Sequence, residues 1–337
     1  MKIINLPVNF GSQASIISIG LRKKNIKSDT LHSDALFSIY KPTYSFSKFK
    51  LLSFAERIFY TIFFLLKYDI FLYHAGSSLF TTKLNLIDVR LSKFFKKKVV
   101  PVFHGSELRM PSREQERNPF YTNTAYNESD SLALKRLSKW SSLTDTVITC
   151  DVAFLNYGLE KYFKEIYHLP LSIDINQFTP KTINNQIPVV MHAPSNIDAK
   201  GTKWIRGAVD QLKNQGCEFE YVEVTGKSHE DVLETIQTAD IVIDQVMLGN
   251  YGVFAIEAMA LEKPVICYLQ KEVVSLLPPD LPIINASPDS IMDSLRELIY
   301  LSDSDRKNIG KQSRQYAINY HDCELVAEKL KKIMDKL

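Results

Sequence analysis

No run of this chain is apolar enough to cross a bilayer. The longest, IFYTIFFLL at 58–66, falls far short of the roughly 20 residues a spanning helix needs. The opening MKIINLPVNF has no basic stretch followed by a long apolar run, so no signal peptide is expected. Cysteine is sparse: Cys150, Cys217, Cys267 and Cys323 lie far apart without a CxxC pair. That argues against a disulfide framework or a zinc site and fits reduced, mostly buried thiols of a cytosolic protein. No GxGxxG follows any strand-like run, which argues against a nicotinamide enzyme. TGKSHED (225–231) imitates the end of a Walker A loop, but that motif needs a glycine five residues before Gly226, where Tyr221 stands. Asp303-Ser304-Asp305 imitates a metal-binding DxD. It stands just before a helix, where Ser and Asp cap the first turn and complement its dipole, so no metal is assigned to it.

What is present is ordinary globular composition, 45% hydrophobic and 23% charged over 337 residues, a length that suits two domains. The formal charge of +3 hides an asymmetry: residues 1–110 hold 17 Lys and Arg against 6 Asp and Glu, and the remainder 24 against 32. Such a basic end attracts phosphates, acidic lipids or nucleic acid. No nucleic-acid module accompanies it, so no nucleic-acid partner is expected.

Strand-like and helix-like runs alternate. In the C-terminal half, IPVVMHA (187–193), FEYVEVTG (219–226), DIVIDQV (240–246), PVICYL (264–269) and LPIINA (281–286) read as strands. Helices are expected over 201–216, 229–239, about 252–261 and 288–301. In the N-terminal half MKIINLPV, DIFLYHAG (69–76), VVPVFHG (99–105), DTVITCD (145–151) and YHLPLSID (167–174) read as strands, with helices at GSQASIISIGLRKKN and LIDVRLSKFFKKK (86–98). Such alternation implies parallel sheets covered by helices. QFTPKTINNQIP (177–188) is polar, holds two prolines and lacks a period, so it reads as a linker. The tail from Asp303 reads as two helices broken near Tyr320-His321-Asp322. The expected plan is α/β: two doubly wound domains, 1–175 and 189–310, joined by 176–188 and facing a central cleft, with helices at 311–337 crossing back. Ligands of such sheets bind at the carboxyl ends of the strands.

GNYGVFAIEAMALEKPVI (249–266) sets one carboxylate, Glu257, among Ala255, Ile256, Ala258, Met259 and Ala260. A charge there costs free energy unless something pairs with it. A helix starting at Tyr251-Gly252 after a strand offers free backbone N–H groups to a phosphate, and Gly252 permits close approach. Glu257, one to two turns in, can accept two hydrogen bonds from vicinal hydroxyls such as those of a ribose. A partly exposed helix glutamate without a role is the alternative.

The stretch resembles the C-terminal motif of GT-B glycosyltransferases of the retaining family 4 type, E-G-F-G-x-x-x-x-E-A-M-A-x-G-x-P-V. The resemblance implies that Glu257 holds the donor ribose and that Gly249, Asn250, Tyr251, Gly252 and Val253 line the donor site. The first Glu of the family's E-x7-E is Gly249 here. HAPSNIDAKGTKWIRGAV (192–209) resembles the family's strand-loop-helix at the diphosphate, where Lys200 matches the family's lysine, Ser195 and Asn196 are candidate donors, and the family's arginine is missing. VVPVFHGSELR (99–109) resembles the strand-end histidine beside the donor sugar, His104; Glu107 and Arg109 either line the same loop or pair with each other. NFGSQAS (9–15) retains Gly11 of the family's glycine-bearing loop. LPLSIDINQFTP (169–180) keeps Asp174, Phe178 and Pro180 of the linker motif, and Gly226 sits in a loop that meets the nucleobase in the family. The resemblance covers nearly the whole chain. It implies a hexosyltransferase with a nucleotide-sugar donor, a saccharide or lipid-linked acceptor, no cofactor and no metal, in polysaccharide or oligosaccharide assembly. A nucleotide-sugar epimerase of the same fold, or a partner subunit without turnover, are the rival readings. The aromatic and basic stretch 40–69, with the basic helix at 86–98, is either a core helix with a solvated face or a surface resting on an anionic membrane, which would make a cytoplasmic protein peripheral to that membrane.

Overall fold

The computed structural model describes all residues except 34–39, 48–49, 81–83 and 123–128, so positions 48 and 49 of the aromatic and basic stretch lie outside the described residues. The described chain forms two compact units. The first takes in 1–109, 128–174 and 323–337, and the second 110–127 and 175–322.

In chain order the first unit contributes β1 (Lys2–Leu6), α1 (Gln13–Lys23), β2 (Lys27–Thr30), α2 (Lys50–Lys67), β3 (Ile70–His74), α3 (Ile87–Phe94) and β4 (Lys98–Phe103). The helix α4 (Pro111–Arg117) belongs to the second unit, where Asn118 just beyond it donates to the Met247 carbonyl at 2.6 Å. The first unit resumes with α5 (Asp130–Ser141), β5 (Thr146–Thr149) and β6 (Glu165–His168). Its six strands run parallel in the order β2-β1-β3-β4-β5-β6. Strands buried on both faces read as continuous apolar runs, which is why β1, β3 and β4 stand out in the sequence. β2 does not: its KSDT is polar, and its buried Ser28 and Thr30 are held by hydrogen bonds rather than by an apolar face.

The second unit contributes β7 (Val189–His192), α6 (Ile197–Lys200), α7 (Thr202–Asn214), β8 (Glu220–Glu223), α8 (His229–Thr238), β9 (Ile241–Ile243), α9 (Val253–Ala260), β10 (Val265–Cys267), α10 (Lys271–Val274), β11 (Ile284–Asn285), α11 (Ile291–Tyr300) and α12 (Asp303–His321). Its five parallel strands are ordered β11-β10-β9-β7-β8. Residues 178–188 hold no helix or strand. The chain ends in α13 (Cys323–Lys336), separated from α12 by the extended Asp322.

α13 packs on α1 within the first unit and sends Val326, Ala327, Leu330 and Ile333 into a core with Ile3, Ile17, Leu21 and Val100. Gly20 allows this: a Cβ there would lie 2.1 Å from the Cys323 carbonyl oxygen. All four cysteines are buried and unbridged. In both sheets the strand order reverses beside the first strand of the unit, between β1 and β3 and between β7 and β9. That crevice at the carboxyl ends is where open α/β sheets hold ligands.

Candidate functional site

At the reversal in the second unit, β9 ends and Asp244 follows, fully buried. Its Oδ1 lies 2.5 Å from the Lys200 ammonium, and its Oδ2 accepts the Gly252 backbone N–H at 3.1 Å. Lys200 closes the short α6, and Gly252 precedes α9. The two groups expected at a diphosphate, the lysine and the helix start, therefore meet on one carboxylate. Gly252 is extended, with φ −111° and ψ −171°, and a Cβ there would meet only Asp244 Oδ2 at 4.0 Å. The surrounding protein does not demand glycine at this position. Asn196 caps α6, its Oδ1 accepting the Ala199 N–H at 2.9 Å, and it is exposed like Ser195. His192 ties the same corner together: its Nδ1 meets the Ile243 carbonyl and its Nε2 the Thr202 hydroxyl, each at 2.9 Å. Burial pushes its pKa down to about 4.

The loop between β9 and α9 is built around Gln245, which is fully buried. Its amide donates to the Asn250 and Tyr268 carbonyls at 2.9 Å each, while its carbonyl accepts the Met247 and Leu248 N–H groups at 2.7 and 2.5 Å. Gly249 has φ +82°, and a Cβ on it would fall 2.5–2.7 Å from the Gln270 side chain. This turn has no room for the family's glutamate. Asn250 bonds the next N–H, its Oδ1 accepting from Tyr251 at 2.9 Å. Tyr251 is buried and points to α12, its hydroxyl 3.1 Å from His321 Nε2 and 3.3 Å from the Tyr316 hydroxyl. Val253 is half-buried at the first turn of α9.

α9 is apolar all round and buried from Ala255 to Ala260, as its sequence demands. Glu257, only 6% exposed, finds its partner in His229 Nε2 at 2.8 Å. The bond to Glu257 raises the His229 pKa against the opposing cost of burial. His229 stands at the start of α8, whose N-terminus is fixed by a reciprocal capping box between Ser228 and Asp231. TGKSHED is thus a turn and a capped helix start that delivers His229. Gly226 in it is exposed at φ +66° with open space around it. Asp303 and Asp305 lie in the first turn of α12, where Ser302 caps and Asp303 pairs with Lys307 at 2.7 Å.

In the first unit, Gly11 (φ +51°) sits in a 3-10 turn after β1. His104 follows β4 and is buried. Glu107 folds back so that its carboxylate accepts the N–H groups of His104 (2.5 Å) and Gly105 (3.1 Å). Arg109 pairs instead with Asp151 at 3.5 Å, so Glu107 and Arg109 are not partners. The Phe10 ring lies 5.7 Å from the His104 ring, and His104 Nε2 is 2.9 Å from His74 Nδ1. Burial takes the His104 pKa down to about 4 and the His74 pKa well below its ordinary value.

The sequence reading missed His74, His229, Asp244 and Gln245. Two of them carried a local signal: His74 ends a strand as His104 follows one, and Asp244-Gln245 put polar groups directly after an apolar strand. His229 carried none, because only the fold brings α8 beside α9.

No family model and no curated protein matches the chain. Solved structures do. The chain is 12% identical to sucrose-phosphate synthase from Thermosynechococcus elongatus, covering 100% of this chain and 99% of that one at a TM-score of 0.64. A glycosyltransferase from Rickettsia africae is 14% identical over 99% and 97%, with a TM-score of 0.66. Anabaena Alr3699/HepE in complex with UDP-glucose is 12% identical over 99% of both chains, with a TM-score of 0.62. The shared architecture is the GT-B fold, with two parallel Rossmann-like sheets and C-terminal helices.

Proposed function

We propose that this protein is a glycosyltransferase that moves a sugar from a nucleoside diphosphate donor to a saccharide or lipid-linked acceptor, with retention, in surface polysaccharide or oligosaccharide assembly. The observation that carries the reading is the corner of the second unit where Lys200 and the start of α9 converge on Asp244, with the buried Glu257 in the same helix. In this reading Lys200 turns from Asp244 to the departing diphosphate and, with the N–H groups of α9 beyond Gly252, offsets the charge that grows on it. Glu257 accepts the two ribose hydroxyls, with His229 holding the carboxylate in place. In the first unit His104 bonds a sugar hydroxyl. The likeness to a protein solved with UDP-glucose supports a nucleotide-sugar donor.

The acceptor side of the proposal rests on α2. Its inner face is buried through Thr61, Phe64 and the following Tyr68, yet its outer face is not the polar surface of an ordinary core helix. Phe54, Ile58, Phe59 (60% exposed), Ile62 and Leu66 (84%) face outward. In the same unit α3 and the turn after it expose Phe94 and Phe95 beside Lys93, Lys96 and Lys98. Apolar side chains interleaved with lysines suit an anionic bilayer surface and a lipid-linked acceptor. No described helix is long and apolar enough to cross a membrane. Flotation with anionic liposomes at low salt carries the protein upward if the surface binds, and leaves it at the bottom if it does not.

The deciding experiment is thermal shift with UDP, GDP, ADP, CMP and NAD on the parent and on Glu257→Ala. A rise with one diphosphate, lost in the variant, supports the donor site and names the base. Absence of any rise replaces the proposal with a partner subunit that kept the fold, a reading to which Gly249 and the missing loop arginine already point.

A further inference from the structure

His104 Nδ1 is buried, and no described residue bonds it. A buried polar atom without a partner is destabilising, so its presence beside a strand end asks for a reason. The hydrogen bonds around it define its chemical state. The Asn5 amide nitrogen donates to Ser28 Oγ at 3.1 Å and to the Asp29 carbonyl at 3.4 Å. A carbonyl only accepts, so this orientation is forced, and Asn5 Oδ1 faces His74 Nε2 at 3.0 Å as an acceptor. His74 Nε2 must therefore carry the proton. A neutral imidazole has one N–H, which leaves His74 Nδ1 as an acceptor, and His104 Nε2, 2.9 Å away, must donate to it. Had the chain run the other way, two lone pairs would face each other between His74 and Asn5. His104 is left with a bare Nδ1.

We infer that Asn5 and His74 are positioning residues that lock His104 in its Nε2–H tautomer, so that His104 Nδ1 serves as a hydrogen-bond acceptor for a substrate hydroxyl. The inference rests on the glycosyltransferase reading for its ligand but not for its tautomer. A bare nitrogen in a buried setting accepts from a neutral hydroxyl and repels a carboxylate or phosphate. The site thus selects a hexose hydroxyl over an acidic group at the same place on the sugar.

Nitrogen-15 NMR of histidine-labelled protein, with the His104 signals identified by their loss in His104→Ala, reads the tautomer directly in the unliganded full chain. The expected wild-type spectrum shows Nε2 bearing the proton and Nδ1 bare. His74→Gln supplies an amide that accepts from His104 and donates to Asn5, so it keeps that spectrum; His74→Phe yields mixed His104 tautomers. Affinity for a sugar nucleotide falls about 2- to 12-fold in His74→Phe, the worth of one neutral hydrogen bond, is kept in His74→Gln, and affinity for the bare nucleotide is unchanged in both. A wild-type His104 protonated on Nδ1, or an unchanged tautomer in His74→Phe, overturns the inference. If His74→Phe does not fold, the wild-type and His74→Gln spectra still decide the tautomer. Failure of every nucleotide to bind, with the tautomer as expected, would sink the glycosyltransferase reading and leave the relay standing.

Discussion

Placing the glutamate of the resembled motif at position 249 should damage the protein rather than improve it. Gly249 holds φ +82°, a conformation that costs an ordinary L-residue roughly 1–2 kcal/mol. Its new Cβ would also sit 2.5–2.7 Å from Gln270 Cγ, Cδ and Nε2, and Gln270 is only 4% exposed, so it has little room to retreat. Overpacking of that kind costs about 1–3 kcal/mol, which brings the total for Gly249→Glu to about 2–5 kcal/mol. At about 2–4 °C per kcal/mol for a unit of this size, the melting temperature should drop by about 4–20 °C. Calorimetry or a dye-based melt measures it, and a nucleotide titration on the same samples reports the loop. Gln270→Ala separates the causes: combined with Gly249→Glu it recovers the steric part and leaves the backbone part, a coupling of about 1–3 kcal/mol between the two positions. A Gly249→Glu protein that melts with the parent would show that position 249 is not constrained, and a double variant that recovers nothing would show that Gln270 is not the obstacle.

Lys200→Met leaves Asp244 buried without its cation and should destabilise by about 3–5 kcal/mol, while Lys200→Met with Asp244→Asn recovers part of the loss; equal melts for the two would show that the pair is not coupled. Gln245→Leu strands two carbonyls and two N–H groups and should either prevent folding or remove nucleotide binding with a large fall in melting temperature, read by the same titration. His104 and His192 are held neutral, with pKa values lowered to about 4 from an ordinary 6.5. Because the unfolded chain takes up protons at these positions first, the contribution of these two rings should be constant above about pH 6.5 and fall as pH drops toward 4, each adding a slope of up to about 1.4 kcal/mol per pH unit, whereas His229, whose pKa is raised by Glu257, contributes stability that is lost as pH rises above 6.5. Denaturant midpoints across that range test it, and a flat profile would mean these rings are not buried as neutral groups.

Several features were readable because one physical requirement dominated each. Parallel strands buried on both faces need unbroken apolar runs, so Val189–His192, Ile241–Ile243 and Val265–Cys267 announce themselves. α9 was legible for the same reason, and so was the oddity of Glu257 within it. β2 was not, because an edge strand whose buried residues are Ser28 and Thr30 is stabilised by hydrogen bonds that leave no hydrophobic pattern. α4 and α5 went unread as well, α4 because PSREQER offers no apolar stripe.

The alternation of strand and helix, the parallel sheets it implies, the break between the last two helices, and the candidate residues His104, Lys200 and Glu257 can all be read along the chain. These follow from periodicity and from motifs only a few residues long. Which side chains partner one another emerges only on packing: Asp244 with Lys200 and Gly252, His229 with Glu257, and His74 with both Asn5 and His104. Hydrogen bonds and ion pairs act over about 3 Å, and the residues that make these lie 8 to 69 positions apart. The packing of neighbouring strands and helices in each unit brings these groups within that range.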